Sequence, residues 1–325
     1  MRPPFVISPR VLSLAQEIER LVGRAEGLEP VVAQPLLRKR NRVRSIRASA
    51  AIEGNTLTEE QVTALLDGKR VIGDRRELLE ITNANSAYAS APSRKSTRVK
   101  DLLAAHRELM TGLVADAGRF RTRSVGVLDG SKVTHVAPPP QLVRRQVTQL
   151  LKWLGAGEVP PLIRSCVAHY ELLFIHPFMD GNGRLARLWQ HVILLEASPV
   201  FSFVPTESVI RDRQQQYYEV LRRCDRNGDC TEFVELALEA LRDALRETLE
   251  QLRPQRVTAA TRIERAQEAL GNRWFSRADW LRLFPTIATA TASRDLAEAV
   301  AAHRLEKKGD RRLARYRFPE KAKSR

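Results

Sequence analysis

The sequence predicts an all-α protein built as two domains, and three observations carry that expectation. Apolar residues recur at three- and four-residue spacing through the first three quarters of the chain. Ala, Leu, Arg, Glu and Gln are plentiful while aromatics make up only 6%, a composition that leans towards helix. The 325 residues, 43% of them hydrophobic, exceed what one core encloses, since single cores stop growing at roughly 250 to 300 residues.

The elements follow in order. A helical region is expected over 1–100, with helices in VLSLAQEIERLV (11–22), VRSIRASAAIEG (43–54) and TEEQVTALL (58–66). Gly54 stops the second, and Thr58 with Gln61 forms a capping box on the third. SAYASAPSRKSTR (86–98) reads as a polar loop. The stretch 101–253 then carries helices in KDLLAAHRELMTGL, QLVRRQVTQLLKWL, PLIRSCVAHYELLFI and LWQHVILLE. It is interrupted at about 124–137 by a hairpin, SVGVLDGSKVTHV, with Asp129-Gly130 as its turn and Pro138 to Pro140 ending the second strand. Around RPQRVTA, between about 250 and 260, the helical run weakens and the charge turns basic, which starts a second domain at 254–325. It reads as three short helices followed by two strands turning at Gly309-Asp310.

Composition excludes several classes. The most apolar stretch, VILLEASPVFSFV, is broken by Glu196 and Pro199 and is shorter than the roughly 20 residues a bilayer span needs. With no apolar run in MRPPFVISPR, a cytoplasmic protein without a membrane segment is expected. Cys166, Cys224 and Cys230 lack metal-type spacing and are odd in number, so they are expected to be reduced thiols. The net charge is +16, and from Pro254 onward 17 Lys and Arg face 8 Asp and Glu, a net +9. Such an excess suits a polyanionic partner or a solvated face equally.

The densest chemistry lies in HPFMDGNGRLARLW, 176–189. His176 ends an apolar helix where Pro177 forbids simple continuation, so its imidazole projects from a rigid base. With an ordinary pKa of about 6.5, such a group can take a proton from a hydroxyl. Gly181, Asn182 and Gly183 directly precede a helix, and small residues there let backbone N–H groups converge on an anion at the positive end of the helix dipole. Arg184 and Arg187, three apart, share a face and offer guanidinium forks to further phosphates. Asp180 is a hard oxygen ligand for Mg²⁺ (or Mn²⁺) bridging phosphates. Base, metal ligand, anion nest and paired arginines together point to phosphoryl or nucleotidyl transfer.

The stretch has neither the GxxxxGK[ST] of a P-loop nor GxGxxG. It resembles the HPFxDGNGRxxR signature of the Fic family at every specified position, and the resemblance extends over roughly 40–250 through EITNANSAY, GRFRTRSVGV, VAPPP and SVIRDRQQQYYEVL. That resemblance implies the all-α Fic fold and transfer of AMP from Mg-ATP to a Ser, Thr or Tyr hydroxyl of a target protein. His176 would be the base, Asp180 would hold the metal, and Gly181 to Gly183 would cradle the α- and β-phosphates. Arg184 and Arg187 would bind the β- and γ-phosphates, Phe178 would point into the core, and Tyr217 or Tyr218 would line the adenine pocket. Gly183 stands where phosphorylating relatives carry lysine, and the hairpin would be the flap that clamps an extended target segment by strand addition.

SAAIEGN (49–55) resembles the family's inhibitory motif [S/T]xxxE[G/N] on an N-terminal helix, about 42–54. Ser49 and Glu53 lie on one helix face, and a carboxylate offered to Arg187 would occupy the guanidinium meant for the γ-phosphate. Removal of AMP by the same site stays open. The C-terminal domain resembles a winged helix-turn-helix, with Ser293, Arg294 and Asp295 on a recognition helix and Lys307, Lys308, Arg311, Arg312 and Arg315 on or near the wing. It leaves an alternative, a DNA-binding regulator whose site senses nucleotide or modifies itself, with DNA on residues 255–325. A homodimer through either domain is compatible with both readings.

Overall fold

The computed structural model describes residues 3–28, 35–129, 132–252, 258–285, 287–310 and 313–319. The chain divides into two compact units, Met1–Leu252 and Arg253–Arg325, each with its own apolar cluster.

In the first unit the described helices are α1 (Pro9–Glu26), α2 (Pro35–Ile52), α3 (Glu59–Leu66), α4 (Arg75–Ser90), α5 (Val99–Met110), α6 (Pro140–Ala156), α7 (Pro161–Ile175), α8 (Asn182–Ala197), α9 (Thr206–Asp212), α10 (Gln214–Asn227) and α11 (Thr231–Leu252). The N-terminal helices share one core with the rest of the unit: α1 packs on α11, and α2 packs on α9 and α4. At the centre α7 lies along α8, whose Leu185, Leu188 and Trp189 are fully buried. The Thr58–Gln61 capping box forms as the sequence indicates. The expected loop at 86–98 is helical as far as Ser90. Asp74 caps the helix start, and Ser86 and Ser90 donate their hydroxyls to carbonyls four residues back, so their polarity is absorbed within the helix.

The buried carboxylate of Glu207 fastens α2 in place, accepting from Ser45 Oγ at 2.7 Å and from Tyr88 Oη at 2.7 Å. Asn41 Nδ2 adds a bond to the Phe203 carbonyl at 2.7 Å. These contacts orient the helix that ends at Ser49 to Glu53.

The hairpin pairs β1 (Gly126–Asp129) with β2 (Lys132–Val136), antiparallel, with an irregularity between Val127 and Leu128. Asp129 is a paired residue opposite Lys132 rather than part of the turn; Gly130, assigned to the turn from sequence, lies outside the described residues. β2 runs beside α10.

The second unit contains α12 (Ala259–Leu270), β3 (Phe275–Ser276), α13 (Arg277–Leu283), α14 (Thr289–Ala301), β4 (Glu306–Lys308) and β5 (Arg315–Arg317). Its antiparallel sheet has the order β3-β5-β4, and β3 is too short to have a readable period in the sequence. Asp295 corrects an expectation: it is 1% exposed, and Arg262 donates to it from Nε at 2.6 Å and Nη2 at 2.8 Å, so it fastens α14 to α12 instead of facing outward. Arg294 is exposed, Arg277 donates to Ser293 Oγ at 2.9 Å, and Lys307 is paired with Asp310. Lys308 and Arg315 are exposed, while Arg311 and Arg312 lie outside the described residues. Among the described residues no helix is long and apolar enough to cross a membrane, and Cys166, Cys224 and Cys230 are buried free thiols.

Candidate active site

His176 sits at the C-cap of α7 with φ 48° and ψ 61°. Pro177 disfavours the helical conformation at this position. A left-handed non-glycine residue costs on the order of 1–3 kcal/mol and persists only where its surroundings impose it. Arg121 supplies much of that constraint. Its side chain is 3% exposed and donates to the carbonyls of His176 (2.7 Å), Arg123 (3.0 Å), Pro138 (2.5 Å) and Ile175 (3.3 Å), while its own N–H donates to Pro177 O at 3.0 Å. One buried guanidinium thus ties both ends of the hairpin to the turn that carries His176. Burial pushes its pKa down, and the carbonyls at the negative end of α7 are what favour the cation there. The His176 Nδ1 lies 3.4 Å from the Leu173 carbonyl, and a proton on Nδ1 puts the lone pair on Nε2.

The motif loop is closed from within. Asn182, 3% exposed, accepts from Phe178 N at 2.9 Å and donates to Phe178 O at 2.9 Å. Its side chain is therefore a loop brace, and its share in an anion nest is its backbone N–H. Phe178 is fully buried and stacks on His106 with ring centroids 3.6 Å apart. His106 accepts the Gly118 N–H at Nδ1, 2.9 Å, so the proton sits on Nε2 and is donated to the Asp180 carbonyl at 2.9 Å. Burial pushes its pKa down to about 4, which keeps the ring neutral and this tautomer fixed. Neither His106 nor Arg121 stands out in the sequence; the single signal was that GRFR belongs to the wider resemblance.

Gly181, with φ 80°, is the N-cap of α8 and makes no side-chain cap, so the first-turn N–H groups are aimed at the space before the helix. A Cβ on Gly181 would meet Met110 Sδ at 2.5 Å, and one on Gly183 would collide with the carboxylate of Glu53. That carboxylate lies at the mouth of the nest. Glu53 Oε1 accepts from Arg187 Nη2 at 2.7 Å, while Ser49 receives Arg187 Nε on its hydroxyl and Nη2 on its carbonyl, both at 3.0 Å. Arg187 is buried; burial alone would lower its pKa, and the charge of Glu53 raises it instead. Arg184 is paired with Glu80 and with Asp180 Oδ1 (3.1 Å), and its buried Nε has no partner. Asp180 is half-exposed: Oδ1 takes the Gly181 N–H at 2.5 Å, and Arg76 approaches Oδ2 at 3.7 Å.

The two tyrosines part company. Tyr217 is 3% exposed and its hydroxyl meets His169 Nε2 at 3.0 Å; His169 Nδ1 in turn meets Gln190 Oε1 at 2.7 Å. With the Gln190 oxygen accepting, Tyr217 is the donor to His169. Its buried hydroxyl also lies against the Arg187 guanidinium; burial raises its pKa more than that cation lowers it. Tyr218 is 37% exposed and edge-on to Tyr217, with centroids 5.3 Å apart.

The structure therefore gathers Ser49, Glu53, Asp180, Gly181, Gly183, Arg184 and Arg187 around the start of α8, with the buried Tyr217 hydroxyl against Arg187. A family model described as Fic/DOC matches residues 96–194. The structure is similar to that of a Fic family protein from Desulfovibrio desulfuricans G20, with TM-score 0.79, 40% identity and all of both chains covered. Among curated proteins, the chain is 31% identical over 242 residues to protein adenylyltransferase Fic of Nematostella vectensis, covering 70% of this chain and 54% of that one. It is 32% identical over 198 residues to protein adenylyltransferase fic-1 of Caenorhabditis elegans, covering 57% and 37%. The chain thus spans about half or less of the length of the curated relatives it matches. By its fold, its motif and its full-length match to the Desulfovibrio protein, the chain belongs to the Fic family.

Proposed function

We infer that the protein is an adenylyltransferase that moves AMP from ATP to a hydroxyl of a target protein and is restrained by Glu53. The observation that carries the reading is a histidine held at a rigid turn five residues before an uncapped, glycine-lined helix N-terminus, with Arg184 on its first turn and Arg187 three residues on along the same face. The relatives named protein adenylyltransferase support it. In this reading the target hydroxyl oxygen attacks the α-phosphorus, its proton passes to His176 Nε2, and the bond to the bridging oxygen breaks to release pyrophosphate. Backbone N–H groups of Gly181 to Gly183 hold the phosphates, Arg184 and Arg187 take the terminal ones, and Tyr218 lies against the base. The half-exposed Asp180 carboxylate beside this nest fits a single-carboxylate ligand for Mg²⁺ or Mn²⁺, which would neutralise phosphate charge. The hairpin edge takes the target as an added strand.

In the state described, Glu53 occupies the Arg187 fork and crowds Gly183, so a terminal phosphate must displace it. The C-terminal unit is assigned to target docking. DNA binding is the second reading; it would rest on the exposed Arg294, Lys308 and Arg315, since Asp295 is fastened inside the fold to Arg262. The test is incubation with a cell lysate and ATP labelled at either the α- or the γ-phosphate. The Glu53→Gly variant is expected to incorporate the α label into protein well above wild type, and His176→Ala to incorporate none. Retention of the γ label instead would overturn AMP transfer.

A further inference from the structure

A cavity of about 490 Å³ opens in the first unit away from the motif; none of Ser49, Glu53, His176 or Asp180 to Arg187 lines it. Its walls come from the first half of α2, from α4, from the C-terminal half of α8 and from the short turn Pro199–Phe203. The volume lies within the roughly 300–1,000 Å³ of small-molecule sites. Among the described residues three cations line it, Arg38, Lys39 and Arg42, and no carboxylate does; Asn41, Asn85 and His191 add polar groups, and Tyr88, Leu195 and Phe203 are among the apolar ones.

Two further observations point to a guest. Arg42 is half-buried, its Nη2 donates to the neutral Asn85 carbonyl at 2.6 Å, and its buried Nε has no partner. Burial pushes its pKa down, the mark of a cation losing water without a carboxylate in return. Beside it, the 1% exposed Asn41 has an Oδ1 that bonds nothing. Lys39 is tied to Asp67 at the surface, an exposed pair that contributes little and is easily exchanged for another anion.

We propose that this cavity binds a phosphomonoester with an apolar or aromatic body, the phosphate among Arg38, Lys39 and Arg42 and the body against Tyr88, Leu195 and Phe203. A phosphate monoester, carrying about two negative charges, matches three cations better than a single carboxylate. The occupant bridges α2 to α4 and α8. Arg42 lies two turns before Ser49 on the same helix, about 10 Å along its axis, so occupancy holds in place the helix that presents Ser49 and Glu53 to Arg187. This last step rests on the inhibitory role of Glu53; the binding step does not.

Isothermal titration of the full chain with phenyl phosphate tests the site, with inorganic phosphate and phenol as the two separate halves of the probe. Saturable binding of one phenyl phosphate per chain, tighter than either half, is expected. Replacing both exposed cations, Arg38→Ala with Lys39→Ala, should weaken it at least tenfold, as should Arg42→Gln, while His176→Ala should leave it intact. Absence of saturable binding at millimolar probe, or undiminished binding by the Arg38→Ala, Lys39→Ala chain, overturns the site. In the AMP-incorporation assay phenyl phosphate should lower the wild-type rate and leave Glu53→Gly unaffected. Binding without that difference overturns the link to Glu53 and keeps the site, and a chain that incorporates no AMP at all counts against the proposed activity alone.

Discussion

Arg121 does more for His176 than any residue inside the motif, since it bonds the turn's carbonyls and both ends of the hairpin from one buried side chain. Lysine at this position keeps the charge but concentrates its donors at one point and cannot fork between the turn and Pro138. Arg121→Lys is therefore expected to lower the AMP-transfer turnover by about 10²-fold, the usual cost of an ångström-scale misplacement. A stoichiometric titration with ATP should still count one site per chain, because Arg121 touches no nucleotide residue. Wild-type turnover in the lysine variant would show that charge alone matters. The motif residues themselves were legible because their types are chemically committed: a histidine before proline, glycines before a helix, arginines three apart. Arg121 and His106 were not, since an arginine bonded to carbonyls and a histidine stacked on Phe178 look, in one dimension, like any polar residue beside an apolar run. Asn182 shows the converse limit, its place at the start of α8 being readable but its side-chain bonds to Phe178 not.

At the scale of elements, the end of α2 is what holds the Arg187 guanidinium, through Ser49 and the adjoining Glu53. Its helical period and Gly54 stop were visible in the sequence, but its seat was not, because Glu207 lies more than 150 residues from Ser45 and only the fold brings them together. The grip on Arg187 has separable components: Glu53 gives the charged contact, Ser49 Oγ a neutral one, and the Ser49 carbonyl a third that substitution leaves in place. AMP incorporation is expected to rise in the order wild type, Ser49→Ala, Glu53→Gly. The last should gain tenfold or more, since a hydrogen bond to a charged group contributes about 1.5–3 kcal/mol. Gly183→Ala differs in kind: its methyl would collide with the Glu53 carboxylate but would also fill the nest. That variant should lose the contact without gaining activity, and a gain matching Glu53→Gly would show that the nest is not where the phosphates bind. The hairpin was legible as an element, whereas Asp129, read as a turn residue, ends β1 opposite Lys132.

The whole molecule carries two cores, and its four tryptophans divide evenly between the two units: Trp153 and Trp189 in the first, and in the second the buried Trp280 with the exposed Trp274. The boundary was legible because charge and helical period change together near Arg253, whereas the inward turn of Asp295 was hidden by its place among residues expected at a surface. Two cores predict two unfolding transitions, and acid should separate them. Burial holds His106 near pKa 4 and His169 near 3 in the first unit, below the ordinary value of 6.5. The unfolded chain therefore binds protons that the folded unit refuses as pH falls below about 6.5. The stability present above that pH is lost progressively towards pH 4, with His106 alone accounting for on the order of 3 kcal/mol. Glu171, pushed up to about 7 by burial, takes its proton first in the folded unit and offsets part of that loss. In the second unit the one histidine, His303, is exposed. Urea unfolding of a Trp274→Phe, Trp280→Phe chain, whose fluorescence reports the first unit, should show its midpoint falling between pH 6.5 and 5. The Trp153→Phe, Trp189→Phe chain, reporting the second, should hold its midpoint across the same window. His106→Gln should flatten part of the first dependence while lowering its starting point. Midpoints that fall together in both chains would mean that the units unfold as one. A first-unit midpoint independent of pH, persisting when Glu171→Gln removes the opposing carboxyl, would mean that His106 and His169 are protonated without cost.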